Sequence, residues 1–456
     1  MIRKIISMAL IFYFPFFVSI PIAAAQPKDL IEVAPKAQVY DGIVVKGPKV
    51  LWKSVINGKL SAGITGPVIV GKGAFYISLQ GKPDDLRNGY LCAVNSKNGA
   101  LKWVRNVGGV FEAPLLKEET LYVGSFDGNM YAFQAETGKK KWTKETENWQ
   151  DSGMRVSPIH DDKKIYFGYD EGILYALNKK SGKEIWRVEA GGTIFGIPLL
   201  RGESIYFASS AGKIYSVDAQ KGTVKWEIPI KPDIFFLNLL YEEGKIGFIW
   251  CENPPNERKK RNAINFSIFD AETGELKWAK TLETSETLSW PVKAFIKIFL
   301  TDGNELFGLN FRDGEKVWNF KGDNVFYPAL LIHDRFIIAA HGEPFRYEEK
   351  GPSKVFMFDC ESGEKRWEYT MDGCADNFVL LCGNLLCGNS HVKSETGEER
   401  SSIFFIDVNT GEEKGKVLIK EGETVVQRAP GGKGTFYLTT RDAMGNSYIY
   451  KLRLEI

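Results

Sequence analysis

A chain of 456 residues with 59 Lys and Arg against 57 Asp and Glu is close to neutral, which argues against a nucleic-acid binder and against purely electrostatic attachment to lipid. Its 13% aromatic content and 46 glycines suit a soluble globular body of short strands and tight turns, not a disordered chain. Six cysteines are too few for a disulfide-built scaffold of this size.

At the N-terminus, Arg3 and Lys4 precede an uncharged run from Ile5 to Ala25 that ends in Ala23-Ala24-Ala25 before Gln26. This pattern predicts a secretory signal peptide over residues 1–25, and Pro21 beside the small residues favours cleavage. The alternative is an uncleaved anchor, since the run approaches the length of a membrane span. The first cysteine is Cys92, so lipid attachment at a new N-terminal cysteine is not expected. The chain then divides into an N-terminal extension, 26–47, and one repeat domain, 48–456. The mature protein is expected to be exported, periplasmic or extracellular, with no transmembrane span after cleavage.

From residue 99 onward eight glycines mark a repeat: Gly99, Gly138, Gly182, Gly222, Gly274, Gly314, Gly363 and Gly411. Four residues after each of the first seven comes a tryptophan, namely Trp103, Trp142, Trp186, Trp226, Trp278, Trp318 and Trp367; the eighth unit has Gly415 there. Intervals of 39 to 52 residues are those of a four-stranded propeller blade, so the fold class is all-β, a single β-propeller of antiparallel blades.

One unit shows how the pattern folds. Strand A is expected around Pro158 and Ile159, strand B at Ile165-Tyr166-Phe167, and strand C from Ile173 to Leu177 after an Asp170-Glu171-Gly172 turn. Strand D then runs through Trp186. Four residues before each turn glycine stands a carbonyl or carboxylate side chain: Asn95, Gln134, Asn178, Asp218, Asp270, Asn310, Asp359 or Asp407. Such groups accept backbone N–H bonds within the turn while glycine takes the positive φ. Two residues earlier, Ala93, Ala132, Ala176, Ser216 and Gly308 leave room for the indole of a neighbouring blade.

After Gly415 only three strands remain, near Thr424 to Gln427, Thr435 to Thr439 and Ser447 to Leu452, while Trp52 sits in a lone outer strand near the start. N- and C-terminal segments therefore complete one blade and close the ring, giving nine blades by count.

Ligand-binding insertions are expected on the face shared by B–C and D–A connections, where lengthened loops serve either for recognition or as tolerated decoration. There the B–C segments lengthen at Gln80 to Gly89, Cys251 to Asn262, Gly342 to Pro352 and Ser390 to Ser401. Strand A opens at prolines 67, 114, 158, 198, 291 and 328. Phe111, Arg155, Phe195, Trp290 and Phe326 lie just before them, as candidate ligand- or partner-binding residues at the channel mouth, or as a plug of its axis. The basic run Arg258 to Arg261 reads as a solvated loop. Four cysteines, Cys360, Cys374, Cys382 and Cys387, lie close enough in sequence for a local bridge, with the pairing open. Scattered histidines and the absence of a CxxC pair predict no metal site.

The segments Ala135-Glu136-Thr137-Gly138-Lys139-Lys140-Lys141-Trp142 and Asp270-Ala271-Glu272-Thr273-Gly274-Glu275-Leu276-Lys277-Trp278 resemble the tryptophan-docking motif of the pyrroloquinoline quinone (PQQ) repeat family. The resemblance extends over essentially the whole mature chain and implies eight blades by the family norm. That family includes quinoprotein dehydrogenases, outer-membrane barrel-assembly propellers and sensor or adaptor propellers without quinone. A quinoprotein of the family would need calcium held by Glu and Asn, an aspartate base and often a vicinal cysteine pair. No Cys-Cys pair occurs here, and no residue can be matched to that base. The resulting expectation is a non-catalytic, monomeric scaffold without cofactor that binds an envelope protein or peptide. A PQQ- and calcium-dependent dehydrogenase and a small-molecule sensor or carrier are the alternatives.

Overall fold

The computed structural model describes residues 31–33, 45–46 and 48–56. From 68 to 454 it describes all but 83–84, 111, 147–155, 231–234, 252–261, 285–288, 290, 343–352, 372–373, 376–379, 383, 394–398, 420–421, 433–434 and 443–445. The signal-peptide region lies outside the described residues. Among those described there is no helix, and nine antiparallel sheets follow one another around a ring. Blades 1 to 8 span 69–106, 115–145, 159–189, 194–229, 235–284, 292–321, 326–371 and 374–418; blade 9 combines 423–454 with 48–56.

Blade 3 has its strands A to D at Ile159–His160, Lys164–Gly168, Ile173–Asn178 and Glu184–Glu189. Every residue of Lys164–Gly168 is buried, because strand B is covered by a blade on each face. Glu184–Glu189 alternates between buried and exposed beyond its first residue, as an outermost strand with one wet face must. The same contrast holds in blade 4 between Ser204–Ser209 and Val224–Pro229.

Apolar side chains from adjacent blades meet in nine clusters, one at each junction around the ring. The closing cluster sets Phe75, Ile77, Leu79, Cys92 and Val94 of blade 1 against Tyr437 and Ile449 of blade 9. The Phe75 and Tyr437 ring centroids lie 4.6 Å apart. Blade 9 forms as its split sequence demands: Pro48–Ile56 pairs antiparallel with Ser447–Leu454, Trp52 opposite Lys451. Two short strands of the extension add outside this frame, Ile31–Val33 on blade 9 and Val45–Lys46 on blade 8.

The tryptophan repeat resolves into one dock used seven times. Trp103 Nε1 donates to Ala135 O at 2.9 Å, and the remaining six indoles, from Trp142 to Trp367, donate to Lys179, Ala219, Ala271, Phe311, Cys360 and Val408 carbonyls of the following blade. Each ring lies on the turn glycine of that blade: a Cβ at Gly138, where φ is 65°, would come within 2.5 Å of Trp103. The Asx side chains cap the turns as expected, with Asp218 Oδ1 accepting from Gln220 and Lys221 N–H at 2.8 Å each. Gln134 instead accepts from the Thr137 hydroxyl.

The small residues play a different part from the one expected. Ala93, Ala132, Ala176, Ser216 and Gly308 stand directly across from the tryptophan of their own blade, not the neighbour's. Ile268 and Met357 occupy the same position opposite Trp278 and Trp367, so a larger side chain is tolerated there. The missing eighth indole also has a reason. Blade 9 takes its C and D strands from opposite ends of the chain, so the continuous C–D turn that would receive a ring at position 415 does not exist.

Cys92, Cys251, Cys360 and Cys387 are buried and outside any disulfide, and the Cys360 thiol is pushed up to about 12 by burial. Cys374 and Cys382 pair with His391 and Leu385 of one strand. Six residues of extended chain separate those partners, roughly 20 Å. That exceeds the ~7 Å reach of a disulfide, so the local bridge considered from sequence has no pair to form it.

Candidate functional site

The face that carries the B–C and D–A connections is built in two ways. On blades 1 to 4, backbone packs on backbone. A Cβ at Gly89 would lie 2.3 Å from Gly108 O, and one at Gly172 would lie 2.5 Å from Gly192 O. Only glycine permits that approach. The next blade then grips the same connection: Phe126 N donates to Gly109 O at 2.9 Å, Ser125 Oγ donates to Val107 O, and Ser209 Oγ donates to Ala190 O at 2.9 Å.

Blades 1 and 8 also extend their B–C segments as hairpins, which corrects their reading as loops. Ala74–Lys82 pairs with Asp85–Asn95 out to Lys82 opposite Asp85, and Leu385–Lys393 pairs with Glu399–Asp407 out to Lys393 opposite Glu399. The lengthened segments of blades 5 and 7, including the basic run 258–261, lie outside the described residues.

Of the five candidate rim residues, Phe111, Arg155 and Trp290 lie outside the described residues. Phe195 is placed by its backbone alone, in Ile194–Arg201 opposite Ala208. Phe326 is 1% exposed and packs in the cluster between blades 6 and 7, not at an open mouth. Its ring meets His341 edge-on at 5.7 Å.

His341, at the end of strand B in blade 7, was not singled out by sequence, where four scattered histidines gave no signal. It is 1% exposed, and its Nε2 lies 2.9 Å from Asp323 Oδ1. Burial lowers its pKa below the usual 6.5; Asp323 opposes this, Lys354 adds to it, and Glu368 opposes it. A buried imidazole held neutral in this way binds its proton more weakly folded than unfolded. Stability is therefore full above about pH 6.5 and falls as pH drops through that value toward the lower folded pKa. His341→Gln is expected to flatten the difference in unfolding free energy between about pH 7.5 and 5.5; an unchanged slope would assign it to other groups.

A second polar group lies at the same face between blades 2 and 3. Tyr131 OH donates to Asp127 Oδ2 at 2.5 Å and Tyr175 OH donates to Glu171 Oε1 at 2.9 Å, while Tyr169 is buried beside them. Burial raises the Asp127 carboxyl above the usual range, against hydrogen bonds from Tyr131, Ser125 and Asn129 that lower it. With Asn129 N–H on Oδ1 and Tyr131 on Oδ2, both oxygens serve the turn.

Sequence reading also passed over a second recurrent aromatic. Tyr76, Tyr122, Tyr166 and Tyr206, in strand B of blades 1 to 4, donate to the same next-blade carbonyls that receive the indoles, at 3.0 to 3.2 Å. Their rings lie 5.7 to 5.9 Å from the indoles of their own blades. The recurrence of tyrosine at nearly the repeat interval was the available signal.

The family description "outer membrane protein assembly factor BamB" matches residues 44–174, 146–229 and 265–440. No curated protein matches. Among solved structures, BamB from Moraxella catarrhalis is similar at 17% identity over 74% of this chain and 93% of that one, TM-score 0.46. The computationally designed Ika8 protein is similar at 9% identity over 79% and 96%, TM-score 0.51. Quinohemoprotein alcohol dehydrogenase from Comamonas testosteroni is similar at 13% identity over 89% and 76%, TM-score 0.49.

Proposed function

This chain belongs to the PQQ-like β-propeller family described as outer membrane protein assembly factor BamB, and from that premise we propose that it is an exported, non-catalytic scaffold that binds a protein or peptide of the cell envelope. One observation carries the reading. The side chains that recur along the units are engaged in holding the ring, as turn caps and inter-blade docks, whereas variation in length falls on the B–C and D–A connections, which share one face. Variable segments on a rigid frame are where recognition resides. Phe195, in strand Ile194–Arg201, is retained as a candidate contact, and Phe111, Arg155 and Trp290 are retained as candidates on sequence grounds alone. Among the described residues no helix is long and apolar enough to cross a membrane.

The quinoprotein alternative makes a separable demand. Its calcium and base need Glu, Asn and Asp side chains free to face a ligand, and the repeat's Asx groups already accept turn N–H bonds. Titrating the purified mature protein with PQQ and calcium, with tryptophan quenching as readout, followed by alcohols and aldoses with an electron-accepting dye, is expected to give neither saturation nor turnover. Stoichiometric binding with turnover would replace the scaffold reading by an enzyme. Photo-crosslinkers on the extended hairpins of blades 1 and 8 are expected to yield protein adducts in the native envelope, and adducts as frequent from the A–B turns would remove this face from the proposal.

A further inference from the structure

The opposite face, made of A–B and C–D turns, carries a charge pattern that the near-neutral total conceals. Every C–D turn is the same eight-residue segment running from the cap side chain to the residue before the indole position. Each closes with the same bond from the glycine N–H to the carbonyl four residues back. Identical turns on successive blades end at a common height, so they present a flat surface. In blades 1 to 4 these segments, 95–102, 134–141, 178–185 and 218–225, carry net charges of +2, +2, +2 and +1. In blades 5 to 8 the equivalents, 270–277, 310–317, 359–366 and 407–414, carry −2, 0, −1 and −2. The residue after the glycine makes the division plainest: Lys139 and Lys183 in blades 2 and 3, against Glu275, Glu315, Glu364 and Glu412 in blades 5 to 8.

Exposed apolar side chains lie on both sides of the division, where the two halves meet. Ile185, Val224, Leu276 and Val317, on blades 3, 4, 5 and 6, are 45%, 44%, 52% and 39% exposed, and all four stand at the start of strand D beside these turns. In blades 2 and 7 both positions before the tryptophan are charged, as Lys140 and Lys141 and as Lys365 and Arg366, while blade 1 has a half-buried Leu101 there.

A ring of C–D turns that is basic over blades 1 to 4 and acidic or neutral over blades 5 to 8 is complementary to itself. Turning a second copy over about the diameter between blades 4 and 5, which passes through blade 9, places blade 4 on blade 5, 3 on 6, 2 on 7 and 1 on 8. Basic segments then meet acidic ones at every pair but 3 on 6, where the partner segment is neutral. Val224 meets Leu276, both two residues before their tryptophans, and Ile185 meets Val317, both one residue before. That operation is a two-fold, the commonest symmetry of homodimers. Lys139, Lys180, Lys183 and Lys221 make no ion pair among the described residues, so their charge is available to a partner.

We propose that two copies of this chain pair face to face through their C–D turns, the basic half of each over the acidic half of the other, in place of the monomer expected from sequence. The surface lies opposite the B–C face, so the pairing stands independently of what that face binds. Because the contacts are exposed charges, the dimer is sensitive to salt.

The test is sedimentation of the purified mature protein at about 50 and about 500 mM salt. A dimer at low salt that dissociates at high salt is expected. Lys139→Glu with Lys183→Glu in one variant, and Glu315→Lys with Glu364→Lys in another, should each weaken self-association at least about tenfold, since each brings like charges together. All four sites are on exposed turns, so both variants should fold. Mixing them should form a heterodimer, because one now presents an acidic face and the other a basic one. Monomer at both salts, dimers indifferent to the reversals, or a mixture that stays monomeric would each overturn the proposal. So would a monomer whose basic half binds anionic phospholipid vesicles, which would assign that surface to lipid.

Discussion

Replacing Trp103 with alanine is expected to lower the free energy of unfolding by about 3–5 kcal/mol, the range for a buried aromatic whose cavity cannot collapse. The indole is 6% exposed, lies between blades 1 and 2, donates to Ala135 O, and is held against Gly138. Gly138→Ala attacks the same dock from the other side through two separable effects. A φ of 65° costs a side-chain residue roughly 1–2 kcal/mol. The added Cβ would also fall 2.5 Å from the indole, an overpacking cost of about 1–3 kcal/mol. In a Trp103→Ala background only the backbone cost remains, so the double variant should be more stable than the sum of its parts by about the overpacking figure. Equilibrium unfolding in denaturant on the four proteins checks this. Simple additivity would mean that ring and turn do not touch in solution.

That cycle also marks which features were legible in sequence. Gly138 and Trp142 could be read because turn and dock demand particular residue types: only glycine takes the left-handed φ cheaply, and only an indole offers that much apolar face with one donor. The split ninth blade was readable for a related reason, since Trp52 lacked three strands and the segment after Gly415 lacked one. Partners across the ring were harder. Ala132 was assigned to a neighbour's indole when it faces its own, because spacing along the chain gives a repeat's period without saying which side of a strand meets which blade. Tyr166 was missed because tyrosine is also ordinary strand filling, and its hydroxyl has a recognisable role only once the carbonyl of Ala219 is in place. Phe326 illustrates the limit for the functional face. A phenylalanine before a proline is compatible with a channel mouth and with a junction between blades, and packing against His341 and Phe356 selects the junction. The half-and-half charge of the C–D turns was present in the letters from the start, yet it becomes a pattern only when eight segments scattered over more than half the chain are set side by side on one face.

Removing strand D of blade 9 should have the largest effect of all. A mature chain that begins at residue 57 lacks Pro48–Ile56, and with it the Ser54 hydroxyl that donates to Gly99 O at 2.8 Å across the closing junction. It also lacks the Lys53 ammonium 4.0 Å over the Tyr448 ring. Ser447–Leu454 would become a free edge beside an uncovered apolar surface, a known hazard for aggregation. Two native thiols report where such damage begins. Cys92 is buried at the junction of blades 9 and 1, Cys387 at that of blades 8 and 9, and neither is accessible in the intact ring. Alkylation in the absence of denaturant should therefore be slow at both in the full mature chain and at least about tenfold faster at both in the shortened one. Cys251, at the junction of blades 5 and 6 on the far side of the ring, should respond least, because each blade contacts only its neighbours. A chain beginning at residue 47 keeps the strand and should retain slow alkylation at Cys92. Equal acceleration at Cys92, Cys387 and Cys251 in the shortened protein would mean that the ring unfolds as one unit when opened, and that blade 9 is needed for the whole fold instead of for its two junctions.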